Sequence, residues 1–136
     1  MTIMNRGLIL FAHGARDPRW AAPFEAVAAQ VRALRPGVPV RLAYLDIMSP
    51  SLVEAGDELV RFGCSRIEVL PLFLGAGGHV RKDLRQLADA LCAAHPQLQL
   101  ELHPAIGEVD GVVAAMAAAA VAALMAGEAG EAGDAA

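Results

Sequence analysis

Residues 8–18 read LILFAHGARDP: five apolar residues, then His13-Gly14, then charge and proline. A short, continuous apolar run closed by glycine is the pattern of a strand buried on both faces, as in a parallel sheet. The first strand is therefore placed at Gly7–Ala12. After it, Phe24, Val27, Ala28, Val31 and Leu34 recur at helical spacing and predict a helix over Trp20–Leu34, stopped by Pro36-Gly37. Pro23 is tolerable in the first turn, where its missing N–H costs little. Val38–Leu45 reads as a second strand. Ser51 and Glu54 have capping-box spacing and open a second helix that Gly63 closes. Arg66–Leu74 reads as a third strand, followed by Gly75-Ala76-Gly77-Gly78. A third helix over Val80–Ala94 is closed by His95-Pro96, a fourth strand covers Leu98–Leu102, and an alanine-rich helix runs over Val109–Met125.

Four strands, each followed by a helix, predict an α/β fold: a three-layer αβα sandwich on a four-stranded parallel sheet. Right-handed crossovers with one reversal of winding give the strand order 2-1-3-4. The 136 residues suit one domain, placed at residues 1–126. Residues 127–136, GEAGEAGDAA, read as a disordered acidic tail. Ala, Leu and Val must do most of the packing, because 56% of residues are hydrophobic while only 4% are aromatic.

The net charge of −4 argues against a nucleic-acid partner. Cys64 and Cys92 form no C-x-x-C pair; Cys92 reads as a core residue, and neither suggests a disulfide framework. The apolar stretch after Arg6 is too short for a signal peptide. The run Val112–Ala126 falls short of the about 20 residues a membrane span needs. The expectation is a soluble cytoplasmic protein with no membrane partner.

In sheets of this kind ligands bind beyond the carboxyl ends of the strands, at the switch point between strands 1 and 3. His13 ends the first strand and His79 follows the third, while Asp46 and His103 end the second and fourth. Any one of these has an ordinary structural reading. The pair His13 and His79 flanks the crevice from adjacent strands, about 4.8 Å apart, where two imidazoles can approach one metal ion or one substrate atom. Imidazole and carboxylate suit divalent iron, cobalt, nickel or zinc. His95, at a helix end, reads as a solvated cation.

Gly75, Gly77 and Gly78 lack the Lys-Ser/Thr ending of a P-loop. They admit two readings: a shelf that lets a flat ligand approach the backbone, or a plain flexible turn. Arg16 and Arg19 follow His13, and Arg81, Lys82 and Arg85 follow His79. Cations near a helix N-terminus oppose its dipole, and an anionic ligand would relieve that conflict.

LILFAHGARDP, AYLDIMSPSL (43–52) and VLPLFLGAGGHVRKDL (69–84) resemble, in order and spacing, three motifs of the small CbiX-type class II chelatases. These are sirohydrochlorin cobalt- and ferrochelatases of cobalamin and siroheme synthesis. The resemblance covers about residues 7–107. It implies that His13 and His79 bind the metal and accept pyrrole protons. Asp46 is the third candidate catalytic residue and stands where the family usually has glutamate, one methylene longer, while Ala15 stands where it usually has serine. The resemblance further implies a homodimer with facing clefts and a carboxylate-rich tetrapyrrole substrate. Arg16, Gly77, Gly78, Arg81 and Lys82 are the candidate substrate contacts, with Arg85 on the same rim. The metal, cobalt or iron and also nickel, is a substrate, so no permanent cofactor is implied.

Two other enzyme classes fit poorly. A histidine phosphatase needs an arginine directly before its nucleophilic histidine, where Ala12 stands, and a serine hydrolase needs a G-x-S-x-G that does not occur. A non-enzymatic metal or tetrapyrrole carrier using the same cleft is the alternative of a different class.

Overall fold

The computed structural model describes residues 5–134. Strands β1 (Arg6–Ala12), β2 (Val40–Tyr44), β3 (Arg66–Pro71) and β4 (Gln99–Leu102) form one parallel sheet in the order β2-β1-β3-β4. Helices α1 (Ala22–Leu34), α2 (Leu52–Arg61), α3 (Gly78–Ala94) and α4 (Asp110–Asp134) alternate with them.

Each face of β1 feeds a different core layer, because successive side chains point to opposite sides. Ile9 and Phe11 join Ile67, Val69, Leu52, Leu59 and Leu84 beneath α2 and α3. Leu10 stands beside Leu42 and Leu70 in register and packs with Val40 and Ala28 beneath α1. Burial on both faces explains why the central strand reads as an unbroken apolar run.

The helix boundaries follow local chemistry. Ser51 caps α2: its hydroxyl accepts from the Glu54 amide at 3.2 Å, and Glu54 Oε1 accepts from the Ser51 amide at 3.1 Å. Pro23 lies in the first turn of α1, as expected. A 3-10 turn, Pro18–Ala21, precedes α1 and takes up Trp20, which the periodicity had assigned to the helix itself. Strand β3 ends at Pro71, not Leu74, since proline has no amide to extend the ladder.

Two expectations are corrected, and the last helix is longer than the sequence predicts. Cys64 is the buried cysteine, with its thiol pushed above its ordinary value by desolvation, whereas Cys92 is only half-buried. The stretch read as a disordered tail is helical from 127 to 134, while residues 135 and 136 lie outside the described residues. Helix α4 therefore exceeds the apolar run Val112–Ala126, and by length and composition Asp110–Glu131 is sufficient to cross a membrane.

Candidate functional site

His13 directly follows β1 at the carboxyl edge and is exposed. Its imidazole stacks on Phe73, ring centroids 4.2 Å apart and planes 31° from parallel. Phe73 is itself buried and meets Phe11 edge-on at 5.9 Å. A core aromatic thus fixes one face of the histidine and leaves the rest of the ring to solvent. Phe73 belongs to the site, and sequence reasoning passed over it. Its position beyond the end of β3, within Pro71-Leu72-Phe73-Leu74, was the available signal.

Gly14 allows the chain to turn there. Its φ is +97°, and a Cβ at this position would lie 1.9 Å from the Asp46 carbonyl oxygen. That close approach permits the Asp46 amide to donate to the His13 carbonyl at 3.0 Å, tying the ends of β1 and β2. The Asp46 carboxylate accepts from the neighbouring Ile47 amide at 2.8 Å, where Ile47 has φ +70°. Asp46 therefore shapes its own turn. Among the described residues no three His, Cys, Asp or Glu side chains gather closely enough to hold a metal ion, so Asp46 does not complete a three-ligand set with the histidines.

His79 is the second residue of α3 and is exposed. The N-cap of this helix, Gly77, supplies no side-chain hydrogen bond, and the first turn contains no acidic residue. Its leading amides remain available to an anion. A Cβ added at Gly75, Gly77 or Gly78 would meet nothing within 4 Å. Internal packing thus makes no demand for glycine here, and the loop leaves open space in front of its backbone, as both the shelf and the flexible turn require.

The four histidines divide into two kinds. His95 Nε2 lies 2.6 Å from Asp57 Oδ1, joining α3 to α2, which corrects its reading as a solvated cation. His103 Nε2 lies 2.8 Å from Glu68 Oε2, while Arg66 Nε binds the other Glu68 oxygen at 2.8 Å. The Arg66 bond first, and the His103 bond second, hold the Glu68 carboxyl below its ordinary range. His103 is thus committed to a surface ion-pair network. Among the described residues, neither His13 nor His79 is tied to a carboxylate. The imidazoles that no carboxylate holds, among the described residues, are the two at the switch point.

The basic rim is partly compensated. Arg19 makes a two-pronged contact with Asp17, removing it from the free charges, and Arg81 Nη2 reaches Glu108 Oε1 at 3.1 Å. Arg16, Lys82 and Arg85 are exposed. Arg81, Arg85, His103 and Glu108 line a cavity of about 410 Å³ beside the edge. A larger cavity, about 810 Å³, opens at the opposite edge among Cys64, Ser65, His95 and Gln97, and contains none of the candidate residues.

A family model described as CbiX matches residues 7–123. A protein named sirohydrochlorin cobaltochelatase from Methanothermobacter thermautotrophicus is 32% identical over 78 residues, 57% of this chain and 54% of that protein. The chain thus spans about half the length of that curated relative. A CbiX protein of cobalamin biosynthesis from Marinobacter aquaeolei superimposes with a TM-score of 0.78 at 30% identity, over 88% of this chain and 98% of that one. The sirohydrochlorin chelatase SirB from Bacillus subtilis subspecies spizizenii, in complex with cobalt, shares the fold with a TM-score of 0.62. It is 20% identical over 74% of this chain and 44% of its own.

Proposed function

The chain belongs to the CbiX family, and from that premise we propose that it inserts a divalent metal, cobalt or iron, into sirohydrochlorin or a closely related tetrapyrrole. The observation that carries this reading is the division of the histidines: His13 and His79 stand unpaired at the switch point, while His95 and His103 are bound to carboxylates.

The reaction requires little machinery. A divalent ion entering the macrocycle replaces two pyrrole N–H protons, so charge balances when two protons leave. A neutral imidazole, with an ordinary pKa of about 6.5, can both ligate a metal and accept a proton. His13 and His79 hold the incoming ion and take up those protons as ring nitrogens displace them. Phe73 fixes the plane of the His13 ring, so the lone pair is aimed before the substrate arrives. The glycine shelf admits the macrocycle. Its carboxylates meet Arg16, Lys82, Arg85 and the free amides of α3, with Arg81 shared between substrate and Glu108. Asp46 acts as a positioning residue through the turn that carries His13. The metal is a substrate, and no resident cofactor takes part.

The working form is a homodimer. In it, the His13 and His79 edges of two copies face one another. We place the protein in the cytoplasm, where its two free thiols remain reduced.

Turnover tests the proposal. Catalytic protein is mixed anaerobically with sirohydrochlorin and cobalt(II) or iron(II), and the visible spectrum of the pigment is followed. Many turnovers per protein are expected. Stoichiometric binding of pigment or metal with no rate above the protein-free background would make this a carrier.

A further inference from the structure

The cavity of about 410 Å³ beside the carboxyl edge has two kinds of wall. Its floor is apolar, with Leu84 and Ala105 buried and Leu102 half-buried. Its rim is charged. Arg81 and Arg85 stand four residues apart on one face of α3, and Glu108 joins them from the 3-10 turn Ile106–Glu108. The volume lies at the low end of ligand pockets, about 300–1,000 Å³. Such a space suits one arm of a larger molecule, methylenes on the floor and a charged tip at the rim, and not a whole macrocycle.

The charges at the rim do not cancel. Arg81 Nη2 lies 3.1 Å from Glu108 Oε1, whereas Arg85 makes no ion pair among the described residues. Two guanidinium groups against one carboxylate leave one positive charge over, which matches one incoming carboxylate. His103 also lines the cavity, but its Nε2 is held by Glu68, so it does not alter that count.

Glu108 is placed by its backbone. The Gly107 amide donates to the Phe73 carbonyl at 3.0 Å, and a Cβ on Gly107 would lie 1.8 Å from the Leu74 carbonyl oxygen. The Glu108 amide donates to the Ala105 carbonyl at 2.9 Å. The turn is thus pressed against the segment that leaves β3, and it keeps the Glu108 carboxylate within reach of Arg81. The ion pair itself is solvated, its side chains 65% and 46% exposed, so it is a weak one that another carboxylate can replace.

We propose that this cavity receives a single carboxylate-bearing arm of the substrate, and that Glu108 is its built-in competitor. Arg81 and Arg85 select the carboxylate. Glu108 holds Arg81 while the cavity is empty, cedes it to the incoming arm and reclaims it on release. Glu108 therefore acts through Arg81 and sets how tightly the arm is held. Assigning the arm to a tetrapyrrole rests on the function proposed above; the exchange at Arg81 does not.

The test uses propionate as the arm, with propionamide as its uncharged counterpart, on the full chain at fixed ionic strength. Binding is followed by NMR at the Arg81 and Arg85 Nε–H signals. Propionate should shift both signals saturably, and propionamide neither. Glu108→Gln should tighten propionate binding by about twofold to fivefold, the value of an exposed ion pair, and Glu108→Asp should restore the wild-type affinity. In an Arg81→Gln background the Glu108→Gln gain should vanish, an outcome that a general change of charge or of folding would not produce. Unchanged or weaker propionate binding by Glu108→Gln, a gain that survives Arg81→Gln, or equal binding of propionamide would each overturn the proposal. The KM for sirohydrochlorin should fall by the same factor in Glu108→Gln. Propionate results as expected from a protein that does not metallate sirohydrochlorin would sink the chelatase reading and leave the exchange at Arg81 standing. Metallation with a KM unmoved by Glu108→Gln would overturn the proposal and spare that reading.

Discussion

Replacing Gly14 by alanine probes the link between backbone and site most sharply. At φ +97° an alanine pays about 1–2 kcal/mol for the left-handed conformation. Its Cβ would also stand 1.9 Å from the Asp46 carbonyl oxygen, a backbone atom that cannot rotate away. To make room, the Asp46 peptide must retreat by more than 1 Å relative to a normal contact of about 3.5 Å. That retreat breaks the bonds from Asp46 N to His13 O at 3.0 Å and from Met48 N to Asp46 O at 2.7 Å, each worth about 1 kcal/mol. Gly14→Ala should therefore cost about 2–4 kcal/mol in urea denaturation. Metal insertion should fall by at least about tenfold in the protein that remains folded, because His13 moves with the displaced turn. Gly75→Ala is the matched control: no atom lies within 4 Å of its Cβ, and it should change stability by less than about 1 kcal/mol. A Gly14→Ala protein as stable and as active as the wild type would refute this account of the turn.

Phe73→Leu removes the surface on which the His13 ring lies; a stability loss of about 1–2 kcal/mol should accompany a larger proportional fall in kcat, read by thermal melts and by initial rates. Glu68 has a depressed carboxyl, so its contribution is complete above the ordinary value of 4.5 and lost as pH falls through the folded value. The stability advantage of the wild type over Glu68→Gln should accordingly shrink between about pH 5 and pH 2 in denaturation series; an advantage constant with pH would contradict it. Converting Lys82 and Arg85 together to Gln should raise KM for the tetrapyrrole with a smaller change in kcat, and flatten the salt dependence of KM.

The parts of this fold visible in the sequence are those set by neighbours in the chain. The apolar run Gly7–Ala12, the Ser51–Glu54 cap and Pro23 each specify local structure, and each appears where expected. The strand order also emerged, because handedness rules leave few alternatives. The positions of His13 and His79 at the carboxyl edge follow from that order alone. Long-range pairings stayed hidden. Nothing near His95 announces Asp57, 38 residues away, and nothing near His103 announces Glu68, 35 residues away. The stacking of His13 on Phe73 belongs to the same class, since it depends on where the chain turns after Pro71. Helix α4 was misjudged for a different reason: an alanine-rich segment apolar on every side has no preferred face, so its periodicity says nothing about what covers it.

The central claim is that the two unpaired histidines perform metal insertion. The most direct measurement compares initial rates of cobalt or iron insertion into sirohydrochlorin for the wild type, His13→Ala, His79→Ala and the double variant. Thermal melts in the same buffer would show that all four proteins are folded. We predict that each single substitution lowers kcat by about 10²-fold or more and that the double variant falls to the protein-free background. A folded double variant that inserts metal at the wild-type rate would place the chemistry elsewhere and contradict the account.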